Sequence, residues 1–525
     1  MTSIAISSLD RLLGAGTALV GRAVPLPLDP VGVRDMLLSQ AGLSPAVGEN
    51  LDFASPAGAA LVSLGPNVEP GLVMAIAAKG AAEAQKVADA LGKVVARRGP
   101  AIQIDNGTGG KGWIWISGNV LVFSDSVLAL ERGAMLALEA RRTAPEDVTA
   151  VLFPEAIARA NGTDVKAGLA RVLDKARAGQ VAAGQSTEGV EMLADLLGYV
   201  ADASTVEIGL SVDTSRGLAI RGRMNAKPGS GLEKLAREAK PFRLDPPLFA
   251  SGGEVALAFA SSYGPFIKEQ LGRQRRRLET SADKGAPAAL KFYDAFIAAS
   301  TGEAQVTGRA RPYLAMAVVY PLKDPASAAK LGAEMARMDK AGALAWWSAQ
   351  AGVPAGGASL FDWTFKKEAV GKLKALHYSL ALNAKLATPQ VRAAVKSLLG
   401  GNIEVYSAVV GDKLVITAGK DAKAQLGAIG AGKKGQPAGE VAKAIEAAKG
   451  RDSFGYLDLG PMVSFIAALS DDPRAAMVRA TQAAIPLYAT LANDGAGKVV
   501  TLELTVPPAA FAGIGTLVAA GIGAN

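Results

Sequence analysis

The chain contains no cysteine and a single histidine, His377, and only 5% of its 525 residues are aromatic. Without cysteine there is no disulfide, thiolate nucleophile, iron–sulfur cluster or cysteine-built zinc site. With one imidazole there is no multi-histidine metal centre, and any Ser-His-Asp chemistry would have to pass through His377. No cofactor or metal is therefore expected. Charge of one sign is also modest: the net formal charge of +8 permits attraction to an anionic surface without demanding it. Long apolar runs are missing too. Residues 1–13 show no basic segment leading into an apolar stretch, and the uncharged C-terminal segment Ala509–Gly523 is shorter than the roughly twenty residues that a spanning helix needs. A packed terminal helix is expected there.

What the chain does have is a repeated local grammar. Trp113-Ile114-Trp115-Ile116 runs through Gly118-Asn119 into Val120-Leu121-Val122-Phe123, and a helix with Leu128, Leu130 and Leu136 follows. This reads as a hairpin, since Gly and Asn tolerate the backbone angles of a tight turn. The same series recurs as Glu404–Val410, Gly411-Asp412, Lys413–Thr417 and a helix from Asp421. Val148–Phe153 enters a helix at Pro154, as Phe454–Leu459 does at Pro461. Leu72–Ala77 precedes a helix expected over 81–97, and Tyr313–Tyr320 precedes one over 326–338. Val206–Val212 and Val500–Val506 both alternate apolar and polar residues, the period of a half-buried antiparallel strand.

These correspondences predict an α+β protein of two related halves, each with mostly antiparallel sheets covered by helices. The expected divisions are an N-terminal helix over 1–24, subdomains over 25–145 and 146–243, and in the second half 244–436 with helical insertions and 437–525. Residues 263–300 and 338–365 are the expected insertions.

Motifs for chemistry are weak. Gly427–Lys433 has P-loop spacing, but Lys434 stands where Ser or Thr must hold magnesium, so a linker is expected. The Gly-rich stretch 105–112 reads as a hairpin or entry loop. Asp471-Asp472-Pro473 reads as a helix cap. His377 lies on the strand face opposite Leu376, Tyr378, Leu380 and Leu382, beside Ser379, with no nucleophile elbow around it; a strand-surface histidine is expected. Trp113 and Trp115 share one strand face and suit a core or the wall of an apolar groove. Trp346 and Trp347 are adjacent on an expected helix, so at least one ring should be exposed. With Trp363 and the basic cluster Arg273, Arg275, Arg276 and Arg277 they form the candidate binding surface. The cluster lacks the broad basic face and interleaved aromatics of a nucleic-acid site.

The repeated strand–turn–strand–helix and strand–Pro–helix units resemble large α+β proteins of unknown function from the envelopes of high-GC bacteria, often lipoproteins, over most of the chain from about Pro25. The resemblance implies a place in the cell envelope or periplasm; the repeated sheet pattern and the lack of catalytic motifs suggest a non-enzymatic binding or scaffold protein, contacting a protein partner or a hydrophobic ligand, and the positive charge permits an anionic membrane surface as a further partner. The alternatives are a hydrolase using carboxylates or Ser379 with His377, and a cytoplasmic location.

Overall fold

The computed structural model describes residues 2–522 except 25–27, 41–43, 66–67, 106–110, 143–144, 161, 183–187, 251–253, 263, 312, 352–360, 384, 386–387, 469 and 471. The chain divides into two compact units, Met1–Ala236 with Asp494–Gly515, and Arg237–Asn493 with Thr516–Asn525. The strands of the first unit are β1 (Thr2–Ile6), β2 (Ala57–Val62), β3 (Gly71–Ala77), β4 (Lys93–Arg98), β5 (Ala101–Asp105), β6 (Lys111–Ser117), β7 (Val120–Ser124), β8 (Val148–Leu152), β9 (Ala203–Asp213) and β10 (Gly217–Ala226). Those of the second are β11 (Val255–Ser261), β12 (Ala304–Arg309), β13 (Ala315–Pro321), β14 (Phe361–Val370), β15 (Leu373–Leu382), β16 (Ile403–Val410), β17 (Lys413–Gly419), β18 (Ser453–Asp458) and β19 (Pro486–Asn493). The last strand, β20 (Val499–Val506), belongs to the first unit.

The fold is α+β with antiparallel pairing. In the first unit the strands lie side by side as β4-β5-β6-β7-β3-β2-β1-β8-β9-β10-β20. In the second they lie as β14-β15-β16-β17-β13-β12-β11-β18-β19. Adding ten to the first nine strand numbers of one unit gives the order of the other. The hairpins at Gly118-Asn119 and Gly411-Asp412 place Gly118 and Gly411 at φ +65° and +59°, a left-handed conformation that glycine adopts without Cβ strain.

Matching positions also carry matching bonds. The Ser7 amide donates to the Asp147 carbonyl at 2.8 Å, and the Ser262 amide donates to the Asp452 carbonyl at 3.1 Å. The Asp147 carboxylate accepts the Val212 amide near the end of β9, and the Asp452 carboxylate accepts the Asn493 amide at the end of β19. Each aspartate thus fastens the residue before a central strand to the end of the next strand outward.

Several expected boundaries are corrected. The expected N-terminal helix over 1–24 begins with β1, which pairs on both sides, and the helix itself is Leu9–Ala23. The helix over 81–97 stops at Leu91, because Gly92 turns the chain into β4. Nothing separates 25–145 from 146–243, because β8 pairs with β1, or 244–436 from 437–525, because β18 pairs with β11. Within 437–525, β20 pairs with β10 and leaves the second unit. Helices Gly264–Glu279 and Ala286–Ala299 are not insertions without a counterpart: they lie between β11 and β12, as Leu9–Ala23 and Pro30–Gln40 lie between β1 and β2. Strand β9 holds the place of β19, and β20 that of β10, so Val206–Val212 and Val500–Val506 are not equivalent.

The Asp147 carboxylate is buried and also meets Arg11 at 3.1 Å. Replacing Asp147 or Asp452 by Ala strands a backbone N–H and is expected to cost about 1–3 kcal/mol each; urea unfolding of the two variants against the parent checks this, with Asn variants retaining part of the stability.

Candidate functional site

Side chains on a strand alternate between faces, so the register fixes which residues share a surface. Across β7, β3, β2 and β1 the aligned residues Phe123, Met74, Ala59 and Ile4 fall on one face. Ile76, Ala57 and Ile6 are two positions away along their strands and complete an apolar floor. Helices Leu9–Ala23, Pro30–Gln40 and Ala81–Leu91 and the loop residues Leu51 and Phe53 form the roof. Between floor and roof lies a cavity of about 390 Å³, lined by Ile4, Ile6, Leu9, Leu38, Phe53, Met74, Ile76, Val87, Leu91 and Phe123 among others. A second cavity of about 400 Å³ shares Met74, Leu91 and Phe123 and reaches Leu72, Ile104 and Trp113, with Lys111 and Asp125 as its charged lining. Trp113 lines this second cavity and, with Trp115, also packs against the core beneath the helix Val127–Ala140, the two placements its strand pattern suggested. Both volumes lie in the range of small-molecule pockets, which are mostly apolar. Met74 remains 48% exposed, so the space opens to solvent.

The second unit provides an internal comparison. Its aligned residues Ile416, Val318, Val306 and Phe259 hold the places of Phe123, Met74, Ala59 and Ile4. Above them the helices supply Phe292, Tyr293, Phe296 and Trp346, all buried in one core. Phe292 meets Trp346 edge to face at 5.1 Å, and Phe296 meets Tyr320 in the same way at 5.0 Å. Bulky aromatics therefore fill in one unit what remains open in the other. The sequence carries the signal for this: helices 9–23, 30–40 and 81–91 contain no aromatic residue at all, whereas 286–299 and 340–351 contain five.

This corrects the expected binding surface. Trp346 is fully buried, because its helix packs between others and turns that ring into the core; the side chain of Trp347 lies outside the described residues. Trp363, on β14, is half-buried opposite Leu380. The basic cluster is largely neutralised by its own protein. Arg275 bonds Asp294 at 2.5 Å and also Glu279, Arg276 meets Glu269 at 2.9 Å, and Arg277 donates to the Ala349 carbonyl at 3.3 Å. Arg273 is half-buried on the same helix. Asp472 caps the helix Pro473–Thr481, as expected, while Asp471 lies outside the described residues. Residues 106–110 of the Gly-rich stretch 105–112 also lie outside them.

His377 is the centre of a polar cluster and not a strand-surface residue. Cross-strand pairing sets it beside Lys366 and Tyr406 and sets Ser379 beside Glu404. Its ring stacks on Tyr406 at 4.2 Å with the planes 6° apart. Its Nε2 lies 2.5 Å from Glu404 and its Nδ1 lies 3.1 Å from Glu368. The Ser379 hydroxyl donates to the other oxygen of Glu404 at 2.8 Å. Glu404 thus bonds both residues, and this arrangement supplies no direct His377–Ser379 hydrogen bond through which histidine could activate the serine. Burial, together with the negative charges of Glu368 and Glu404, pushes the Tyr406 phenol up to about 12. Among the described residues no group of three His, Asp or Glu side chains is placed to hold a metal ion, and no helix is long and apolar enough to cross a membrane. The terminal helix Pro508–Ile522 instead approaches the Arg22 carbonyl so closely at Gly515 that a Cβ would clash.

Comparison with family models, curated proteins and solved structures gives no match, so the site is read from its own geometry.

Hydrogen bonds from Lys423 and Lys366 hold the Glu368 carboxyl down, from 4.5 to about 2. A carboxyl lowered in the folded state stabilises fully above its ordinary value and loses that contribution as pH falls through the lowered one. The stability gap between the parent and Glu368→Gln is therefore expected to be widest above about pH 5 and to close toward pH 2; urea midpoints across this range check it.

Proposed function

We propose that this is a non-enzymatic binding protein whose first unit holds a hydrophobic ligand in the cavity over β7-β3-β2-β1. The observation that carries the reading is the contrast between aligned floors: Phe259, Val306, Val318 and Ile416 lie beneath aromatic side chains, while Ile4, Ala59, Met74 and Phe123 face open space. An apolar cavity of this size loses packing unless something fills it. Shared strand order and the matching Ser7–Asp147 and Ser262–Asp452 bonds support descent of the two units from one ancestral unit, with one copy keeping a binding space and the other closing it. The resemblance to envelope proteins supports a place in the cell envelope or periplasm.

Two measurements test the binding reading. Mass spectrometry of solvent extracts of the purified protein is expected to find a co-purified apolar molecule. Titration with the dye 1-anilinonaphthalene-8-sulfonate is expected to show saturable binding that Ala59→Phe and Ile76→Trp weaken at least tenfold, with the thermal unfolding midpoint unchanged or raised. Dye binding that is equal in the parent and both folded variants would overturn it.

A further inference from the structure

The tip of the β14–β15 hairpin, Lys366-Lys367-Glu368-Ala369-Val370-Gly371-Lys372-Leu373-Lys374, sets four lysines against one carboxylate. Strand alternation sorts them between two faces. Lys367 pairs across from Leu376 and Ala369 from Lys374, and these four share the face turned toward the helix Pro325–Arg337. Lys366 and Glu368 take the other face, where Glu368 meets Lys366 at 3.0 Å and also bonds Lys423.

Between that helix and the hairpin lies a cavity of about 610 Å³, larger than either in the first unit. Gly332, Ala333 and Met335 of the helix and Leu376 and Val409 of the sheet give it apolar walls, and Lys367, Lys372 and Lys374 line it as well. The missing side chain at Gly332 helps to keep it open: a Cβ there would sit 3.9 Å from Val409. The Lys367 ammonium donates to the Ala336 carbonyl at 2.6 Å, which sets one charge beside the helix. Lys372 and Lys374 are exposed, and neither has an ion-pair partner among the described residues. The carboxylates close by are already taken, Glu368 by Lys366 and Lys423 and Glu334 by Arg337 at 2.6 Å. A cleft carrying one sign of charge over low-dielectric walls focuses its field and concentrates counter-ions, and apolar walls with a few placed charges are what a small-molecule site needs. We infer that this cavity is a second binding site, for a small organic anion whose carboxylate or phosphate groups meet Lys372 and Lys374 while its apolar body lies between the helix, Leu376 and Val409. The site belongs wholly to the second unit and stands apart from the cavity of the first.

The test titrates the full chain with pyrene-1,3,6,8-tetrasulfonate, an apolar body ringed by anions, and follows its fluorescence. Lys372→Gln with Lys374→Gln removes two charges from exposed positions. Gly332→Leu keeps every charge and fills the space, on a helix that leucine suits better than glycine; Ala333→Leu repeats the test should that variant fail to fold. Saturable binding is expected in the parent, at least tenfold weaker in the lysine pair and in Gly332→Leu, and within twofold of the parent in Ala59→Phe. No saturable binding in the parent, or equal binding in all variants, overturns the site. Loss in the lysine pair alone reduces it to surface charge, and loss in Gly332→Leu alone reduces it to an apolar pocket; either result overturns the inference. Loss in Ala59→Phe puts the probe in the first unit and overturns it too.

Discussion

Antiparallel pairing holds throughout both units, so each strand offers one set of side chains to one face and the alternate set to the other. Register then decides what those faces are made of. In the first unit it aligns Phe123, Met74, Ala59 and Ile4 on one face, while Val122, Val73, Ala75 and Ala60 pack on the other beneath the helix Val127–Ala140. A slip of one residue in any ladder would exchange the two sets on that strand and break both surfaces. The cavity and the polar cluster around His377 both depend on this registration.

Much of the arrangement was legible in the sequence, and the failures have physical causes. The two hairpins were readable because Gly118 and Gly411 take left-handed backbone angles that few other residues tolerate. Strand β1 was hidden because Thr2–Ile6 is five residues long, with no turn signal before it and a capped helix directly after it. Trp346 was misjudged because helical adjacency with Trp347 says that two rings diverge, not how many neighbouring helices surround them. The His377 cluster was out of reach because Glu368 and Glu404 come from other strands and meet the ring only through register. The open cavity could have been found: the absence of aromatics from helices 9–23, 30–40 and 81–91 is a sequence fact, but it gains meaning only once 30–40 is set against its counterpart 286–299 and the further helix 340–351 of the second unit is known to pack over the sheet.

The two units differ most in what lies over the same sheet positions. In the second, ring-to-ring contacts around Phe292 fix a dense core against Val318, Leu414 and Ile416. In the first, the roof is built from Leu, Val and Ala together with Phe53, and a cavity remains between it and the floor. At these sheet positions one unit is densely packed and the other keeps an open cavity.

Strand β20 also constrains when the protein can form. Residues 499–506 complete the first unit beside residues 217–226, nearly three hundred positions earlier in the chain. During synthesis, β10 must therefore wait as an open edge, with unpaired backbone groups able to recruit another strand, while β11 to β19 are made. The first unit begins the chain and yet closes only after these strands of the second have been made.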